Sequence, residues 1–209
     1  AAPLRNAAFG QLPFWNPWYC GGNVLWQNPQ VSLISPVYML ALVMPLALAM
    51  KLNVLAHYIV GFLGMHLVLR RSVGVRSPAV VIYLASLFVL SGAMALHLAA
   101  GHSVYLPAFY LPALVYCFFQ AAAGHTRSLL LGGAIVGVAI LNGGTHVAPL
   151  SAVLLGSLGL GAVVVGRTVK PLALAVVIGI AGCAYAAPRL VPAVMFTQSA
   201  DFQDRRGSK

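Results

Sequence analysis

Long apolar runs alternate along this chain with short clusters of basic, glycine, proline or histidine residues, and the length of the runs is the first clue to the fold. A bilayer hydrocarbon core of about 30 Å takes roughly 20 apolar residues in a helix. Six runs approach that length: residues 52–69, 78–99, 104–123, 128–141, 147–165 and 171–190, the fourth being short. Ahead of them the stretch PVYMLALVMPLALAM, residues 36–50, is apolar but interrupted by Pro45. As a helix it reaches only about 22 Å, so it is expected to be interfacial or re-entrant. The pattern therefore predicts an all-α fold, a polytopic transmembrane helix bundle of about six spans plus that one shorter helix. In segments, residues 1–35 form an outer aromatic, Pro- and Gly-rich loop, 36–50 the interfacial helix, 51–190 the bundle and 191–209 an outer polar tail.

Composition agrees with this pattern and removes the soluble alternative. Of 209 residues, 61% are hydrophobic and 7% are charged, too few charges to cover a water-soluble globule of this size. The opening AAPLRNAAFG has no Met and no basic n-region followed by an apolar core, so it does not read as a secretory signal but as a processed or truncated start. Cys20, Cys117 and Cys183 are odd in number and lack CxxC spacing, which makes them packing residues first, with at most one disulfide.

Basic residues orient the bundle, because short cytoplasmic loops carry the Lys and Arg. Alternate loops hold Arg70, Arg71 and Arg76, then Arg127, then Arg167 and Lys170, while the intervening loops at 99–103 and 141–146 hold neither Lys nor Arg. The first set faces the cytoplasm. The net charge of +10 is thus largely a topology signal, and no basic strip interleaved with aromatics points to nucleic acid.

The outer face collects the remaining polar residues: Asn16, Asn23, Gln27, Asn28, His97, His102, Asn142, His146, Arg189, Asp201, Asp204, Arg205 and Arg206. Polar groups gathered near hydrocarbon line a site or a water-filled vestibule, or else sit hydrated among the headgroups. His57 and His66 fall on one face of the first span and are expected to be interhelical hydrogen-bonding or interfacial residues. No HxxxH or HExxH spacing supports a metal, and a divalent ion has no other support in the sequence. No nucleophile with its base, Walker loop or dinucleotide fingerprint is present. Gly132, Gly133 and Gly137 in LGGAIVGVAI read as small residues that let two helices approach. In the stretch QLPFWNPWYCGGNVLWQNPQ, Trp15, Trp18, Tyr19 and Trp26 suit the headgroup layer, with Asn16 among them; Pro13, Pro17 and Pro29 keep it from becoming a span.

That opening stretch, read as Gly10, Leu12, Pro13, Trp15, Asn16, Pro17, Gly21 and Gly22, then Asn28, Pro29, Gln30 and Ser35, Pro36, resembles the first outer loop of bacterial YfhO-type and related membrane proteins of the GT-C glycosyltransferase superfamily. Further similar segments follow in order: HYIVGFLGMHLVLRR from His57, LSGAMALHLAAGH from Leu90, LPALVY from Leu111, NGGTH from Asn142 and PRLVPAVMFTQSADFQDR from Pro188. The resemblance implies an integral enzyme of the bacterial inner membrane that transfers a sugar from a polyprenyl-phosphate donor on the extracytoplasmic face, with no further cofactor required. It also implies an acidic residue early in the first outer loop. Here no Asp or Glu precedes residue 201, so that acid is expected ahead of Ala1 or is missing. Glycosyl transfer needs an acceptor for the hydroxyl proton and positive charge for the departing phosphate. Asp201 and Asp204 are the catalytic candidates in this chain. His102, His146, Asn142, Arg189, Arg205 and Arg206 are the candidates for the lipid phosphate or substrate.

A missing acid suits a second reading, a non-catalytic scaffold of GT-C descent that partners other membrane proteins in a larger complex. A transporter is the third. It would call for charged residues inside spans or paired broken helices, and the sequence offers only histidines in the span interiors and Pro107 and Pro112 as helix interruptions.

Overall fold

The computed structural model describes residues 39–144 and 146–198, the side chains of Phe196 and Thr197 excepted, together with Gly10, Trp15, Asn16, Asn23, Val24 and Ser35. The fold is an all-helical bundle with one minimal strand pair. Strands β1 (Trp15–Asn16) and β2 (Asn23–Val24) run antiparallel, with Trp15 opposite Val24 and Asn16 opposite Asn23.

Pro45 sets where the bundle begins. It holds an extended backbone, φ −55° and ψ 134°, and its carbonyl accepts from the amides of Leu48 and Ala49, so a helix starts directly behind it. This helix, α1 (Leu46–Leu67), runs without a break into a π-helical segment, Val68–Val73. Residues 46–50, expected to close a separate interfacial helix, are instead the first turns of the first span. Between the strand pair and this helix, the element among the described residues is a 3-10 turn, Leu40–Leu42. Gly74 ends the π segment in the left-handed region at φ 81°, where a side chain would be strained. The Arg70 guanidinium donates to the carbonyls of Val75 and Arg76 at 3.2 and 2.8 Å, tying off the turn.

Ser77 and Pro78 start the next helix as cap and first residue. Helices α2 (Pro78–Val89) and α3 (Gly92–Ala99) together make one apolar segment of 22 residues. The third crossing is composite: a 3-10 segment, Ser103–Tyr110, carries Pro107 and passes into α4 (Leu111–Ala122). Then come α5 (Arg127–Leu141), α6 (Val147–Gly166) and α7 (Lys170–Tyr185). Beyond Ala186 the chain turns by 77° into α8 (Ala187–Thr197). Residues 191–197, expected in a polar tail, are thus helical.

Four of these segments are long and apolar enough to cross a membrane, Leu46–Val73, Pro78–Ala99, Ser103–Ala122 and Val147–Gly166; α7 with α8 makes a fifth if the bent pair counts as one span. The sixth apolar segment, α5, has 15 residues and a rise of only about 22 Å. It stops short of a full crossing, and its deep position follows from its glycines. A β-carbon placed on Gly133 would stand 2.5 Å from the Ala181 Cβ, one on Gly137 2.6 Å from the Tyr185 Cβ, and one on Gly182 2.5 Å from Val136. Helices α5 and α7 therefore touch backbone to backbone, as the glycine pattern predicts. Around this seam α4 to α7 bury Leu114, Phe118, Val136, Leu155, Ala175 and Ile178. A second core joins α1 and α2 to the 3-10 segment through Val89, Leu106 and Phe109. Outside these contacts the helices present exposed Leu, Ile and Val, including Leu55, Ile59, Leu63, Val153, Leu160 and Ile180, the surface expected against lipid. The protein is a membrane protein by this architecture.

Candidate functional site at the histidine end

Because the crossings alternate, the bundle has two chemically different ends. One carries Arg70, Arg71, Arg76, Arg127, Arg167 and Lys170 in its connections. The other is built from the start of α1, the connection between α3 and the 3-10 segment, the connection between α5 and α6, and the bend between α7 and α8. At this second end three interruptions of helical structure converge.

The first interruption is the 3-10 segment. Its Tyr105 ring stacks on His97 of α3, with centroids 4.1 Å apart and planes 21° from parallel. Tyr105 also lies against His146, at 5.3 Å and 10°. His102 completes the group, 5.9 Å from His97. Aromatic contacts of this kind hold two separate connections together, and so the loops at 99–103 and 142–146 form one surface.

The second is the early end of α5. Starting from the basic end and rising about 22 Å, α5 leaves its C-terminal turn below the histidine surface, and Asn142, Gly143 and Gly144 are buried there. Gly143 takes the left-handed conformation at φ 79°, and the amides of Gly143 and Gly144 return to Ile140 and Ala139, closing the helix from within. A β-carbon on Gly144 would meet the Ala139 carbonyl oxygen at 2.6 Å and Pro107 at 3.0 Å, so only glycine lets this loop lie on the 3-10 segment. The Asn142 side-chain amide then donates to the Tyr110 hydroxyl at 3.0 Å.

The third is the bend at Ala186. It turns α8 across the end of α5, and Arg189, 2% exposed, donates through Nη1 to the Leu141 carbonyl at 3.2 Å. A guanidinium is thereby fixed inside the bundle rather than at its rim. Non-helical backbone at membrane depth is tolerated where it is buried in protein or lines a polar cavity, and here all three breaks bring polar groups with them.

Of the residues expected at a site, the structure brings His102, His146, Asn142 and Arg189 into this one region. Arg205, Arg206, Asp201, Asp204, Trp18, Tyr19 and Trp26 lie outside the described residues, and of Trp15 and Asn16 only the strand pairing is described. His66 does not join, and His57 reaches the region only through its ring contact with Tyr110. His57, 1% exposed, donates from Nδ1 to the Asn53 carbonyl on its own helix at 2.7 Å, and meets its neighbour through the Tyr110 ring at 5.0 Å. His66 lies 6.5 Å from the Phe62 ring, near the basic end. Among the described residues no three His, Cys, Asp or Glu side chains stand close enough to hold a metal. Cys117 is free and buried, Cys183 free and exposed.

Tyr105, Tyr110 and the depth of Arg189 were not legible beforehand. The sequence counted no charge within the spans, yet Arg189 is buried; it counted Pro107 and Pro112 as the interruptions, yet the end of α5 and the bend at Ala186 interrupt as well. The chain matches no protein-family model, no curated protein and no solved structure, so the site has to be read from its own chemistry.

Proposed function

We propose that the chain is the membrane-embedded portion of a GT-C-type glycosyltransferase that handles a polyprenyl-phosphate sugar donor at its histidine end. One observation carries this reading: three interruptions of helical structure converge on buried Arg189 and Asn142 and half-buried Tyr110, with a rim of His97, Tyr105, His102 and His146 above them. A phosphate leaving a sugar develops negative charge, and a cation held in low dielectric stabilises that charge without reorganising. The histidine rim offers hydrogen-bonding groups at the level where a lipid headgroup meets the protein. Asp201 and Asp204 are the carboxylates in this chain that can take the hydroxyl proton of an acceptor. The sequence resemblance to YfhO-type proteins supports the same reading.

The test is sugar transfer by the full-length protein in vesicles, with radiolabelled polyprenyl-phosphate sugars as donors. Labelled sugar should leave the lipid in a protein-dependent manner. If every donor stays intact while the protein still retains the lipid, the chain is a lipid-binding scaffold instead.

In this reading the histidine end is extracytoplasmic, since the basic residues collect at the opposite end. In a cysteine-free background, His102→Cys in intact bacterial cells should react with an impermeant maleimide, and Arg127→Cys should react only after lysis. The reverse pattern would invert the topology and remove an extracytoplasmic site.

A further inference from the structure

Three of the six histidines of the chain, His97, His102 and His146, gather around one tyrosine. Tyr105 is stacked by His97 at 4.1 Å and by His146 at 5.3 Å, with planes 21° and 10° from its own. His102 stands 6.3 Å from Tyr105 and 5.9 Å from His97. These rings come from different stretches of chain. His97 lies in the last turn of α3, His102 and Tyr105 belong to the start of the 3-10 segment, and His146 directly precedes α6. Tyr105 is therefore the rung that joins the connection at 99–103 to the one at 142–146.

The surroundings fix how this group responds to protons. The 3-10 segment packs against α1, α3, α5 and α6, and α8 crosses the end of α5. At this end α1 brings the ionisable residues Lys51, His57 and Tyr58, the 3-10 segment Tyr110, the close of α7 Cys183 and Tyr185, and α8 Arg189; α5 and α6 bring none. No carboxylate is among the described residues, so a positive charge gained by the rim meets cations and neutral groups. Imidazole is the side chain whose charge changes between about pH 8 and pH 5 in ordinary surroundings. One imidazolium on the face of Tyr105 gains a cation–π contact. Further protons add like charge: His97 and His146 share the ring between them and so lie within about 9 Å of each other, with His102 beside the pair. Two unit charges at about 9 Å disfavour the closed arrangement by a factor of roughly two in water and roughly twenty at an effective dielectric of about 20.

We propose that His97, His102, His146 and Tyr105 form a pH-sensitive latch between these two connections. With the imidazoles neutral, the stack clasps the 142–146 connection to the 3-10 segment. With all three protonated, His146 retains one ring contact and faces two like charges, and the connection lifts away. That connection begins with buried Asn142, which donates to the Tyr110 hydroxyl at 3.0 Å, and it follows Leu141, whose carbonyl accepts from Arg189. Release of the latch thus opens the polar interior of this end to the outside. The device stands apart from the glycosyltransferase reading, because it governs access and not the chemistry that follows.

Nitroxide labels at Ala100 and Leu150, both exposed, on the cysteine-free full chain in lipid nanodiscs report the separation of the two connections by double electron-electron resonance. At about pH 8 one short distance should dominate, and at about pH 5 a longer component should grow, the closed-to-open ratio falling at least about fivefold. His97→Phe combined with His146→Phe keeps flat rings on Tyr105 and removes their protons, so it should hold the short distance at both pH values. His146→Lys carries its charge at both and should show the longer component at both. Identical distance distributions of the unsubstituted rim at the two pH values overturn the latch. So does an acid shift that persists in the double phenylalanine variant, since the titrating group then lies elsewhere. Should His146→Lys fail to fold, the phenylalanine comparison decides alone. Sugar transfer is no part of the readout, so the latch and the enzyme reading stand or fall separately.

Discussion

Gly133→Val is expected to lower the thermal stability of the detergent-solubilised protein by about 6 to 12 °C, whereas Gly156→Ala is expected to leave it unchanged or slightly raised. The two glycines lie on helices of similar character but in different surroundings. A side chain on Gly133 meets the Ala181 Cβ at 2.5 Å and the backbone of Ala181 and Gly182 at 3.3 Å, whereas nothing stands within 4 Å of a β-carbon on Gly156. Neither Ala181 nor a helix backbone can swing aside, so α5 and α7 must separate. Overpacking a tight interface costs about 1–3 kcal/mol and more where backbone has to move, and at this chain length 1 kcal/mol corresponds to roughly 2–4 °C. At Gly156 the substitution introduces no contact, and replacing glycine by alanine in a helix gains up to about 1 kcal/mol in backbone terms. Equal melting of Gly133→Val and wild type would mean that the α5–α7 seam does not hold the bundle together.

That seam also explains what was legible in the sequence. LGGAIVGVAI announced close helix packing because small residues recur four apart, at Gly133 and Gly137, and the apolar runs announced spans because bilayer thickness fixes their length. Depth is different. Nothing local in RSLLLGGAIVGVAIL says that α5 stops inside the bundle; that follows from Gly143 and Gly144 closing its far end, with Gly144 lying against Pro107. Pro45 reads as a break within a short helix, yet it acts as the start of a long one, because a proline before a helix costs nothing that an interior proline would. The candidate site was half legible for the same reason. His102, His146, Asn142 and Arg189 were marked by polarity near apolar runs. Tyr105 and Tyr110 look like ordinary aromatic residues of a span until Pro107 turns their stretch into a 3-10 helix and aims them at His97, His146 and Asn142.

Arg189→Met is expected to change stability little while reducing lipid-phosphate binding about a hundredfold, and this pairing separates a functional cation from a structural one. Two terms oppose each other in the fold. Methionine removes the donor that reaches the Leu141 carbonyl at 3.2 Å, a loss of about 1.5–3 kcal/mol for a bond to a charged group. It also removes the desolvation cost of a guanidinium that is 2% exposed, several kcal/mol in the opposite direction. The two terms are of similar size and opposite sign, so Tm should move by only a few degrees. Binding has no such compensation. At an effective dielectric of about 20, a cation would contribute about 3 kcal/mol to a phosphate bound within roughly 6 Å of it, or close to two powers of ten in affinity, without needing to touch the phosphate. Lysine at the same position keeps the charge but loses the planar fork that fixes it to α5, so Arg189→Lys should retain part of the affinity and melt lower than the methionine variant. If Arg189→Met instead unfolds the protein while Arg189→Lys binds the lipid phosphate as tightly as wild type, the guanidinium is a helix-end brace and the positive charge at the site must come from another residue.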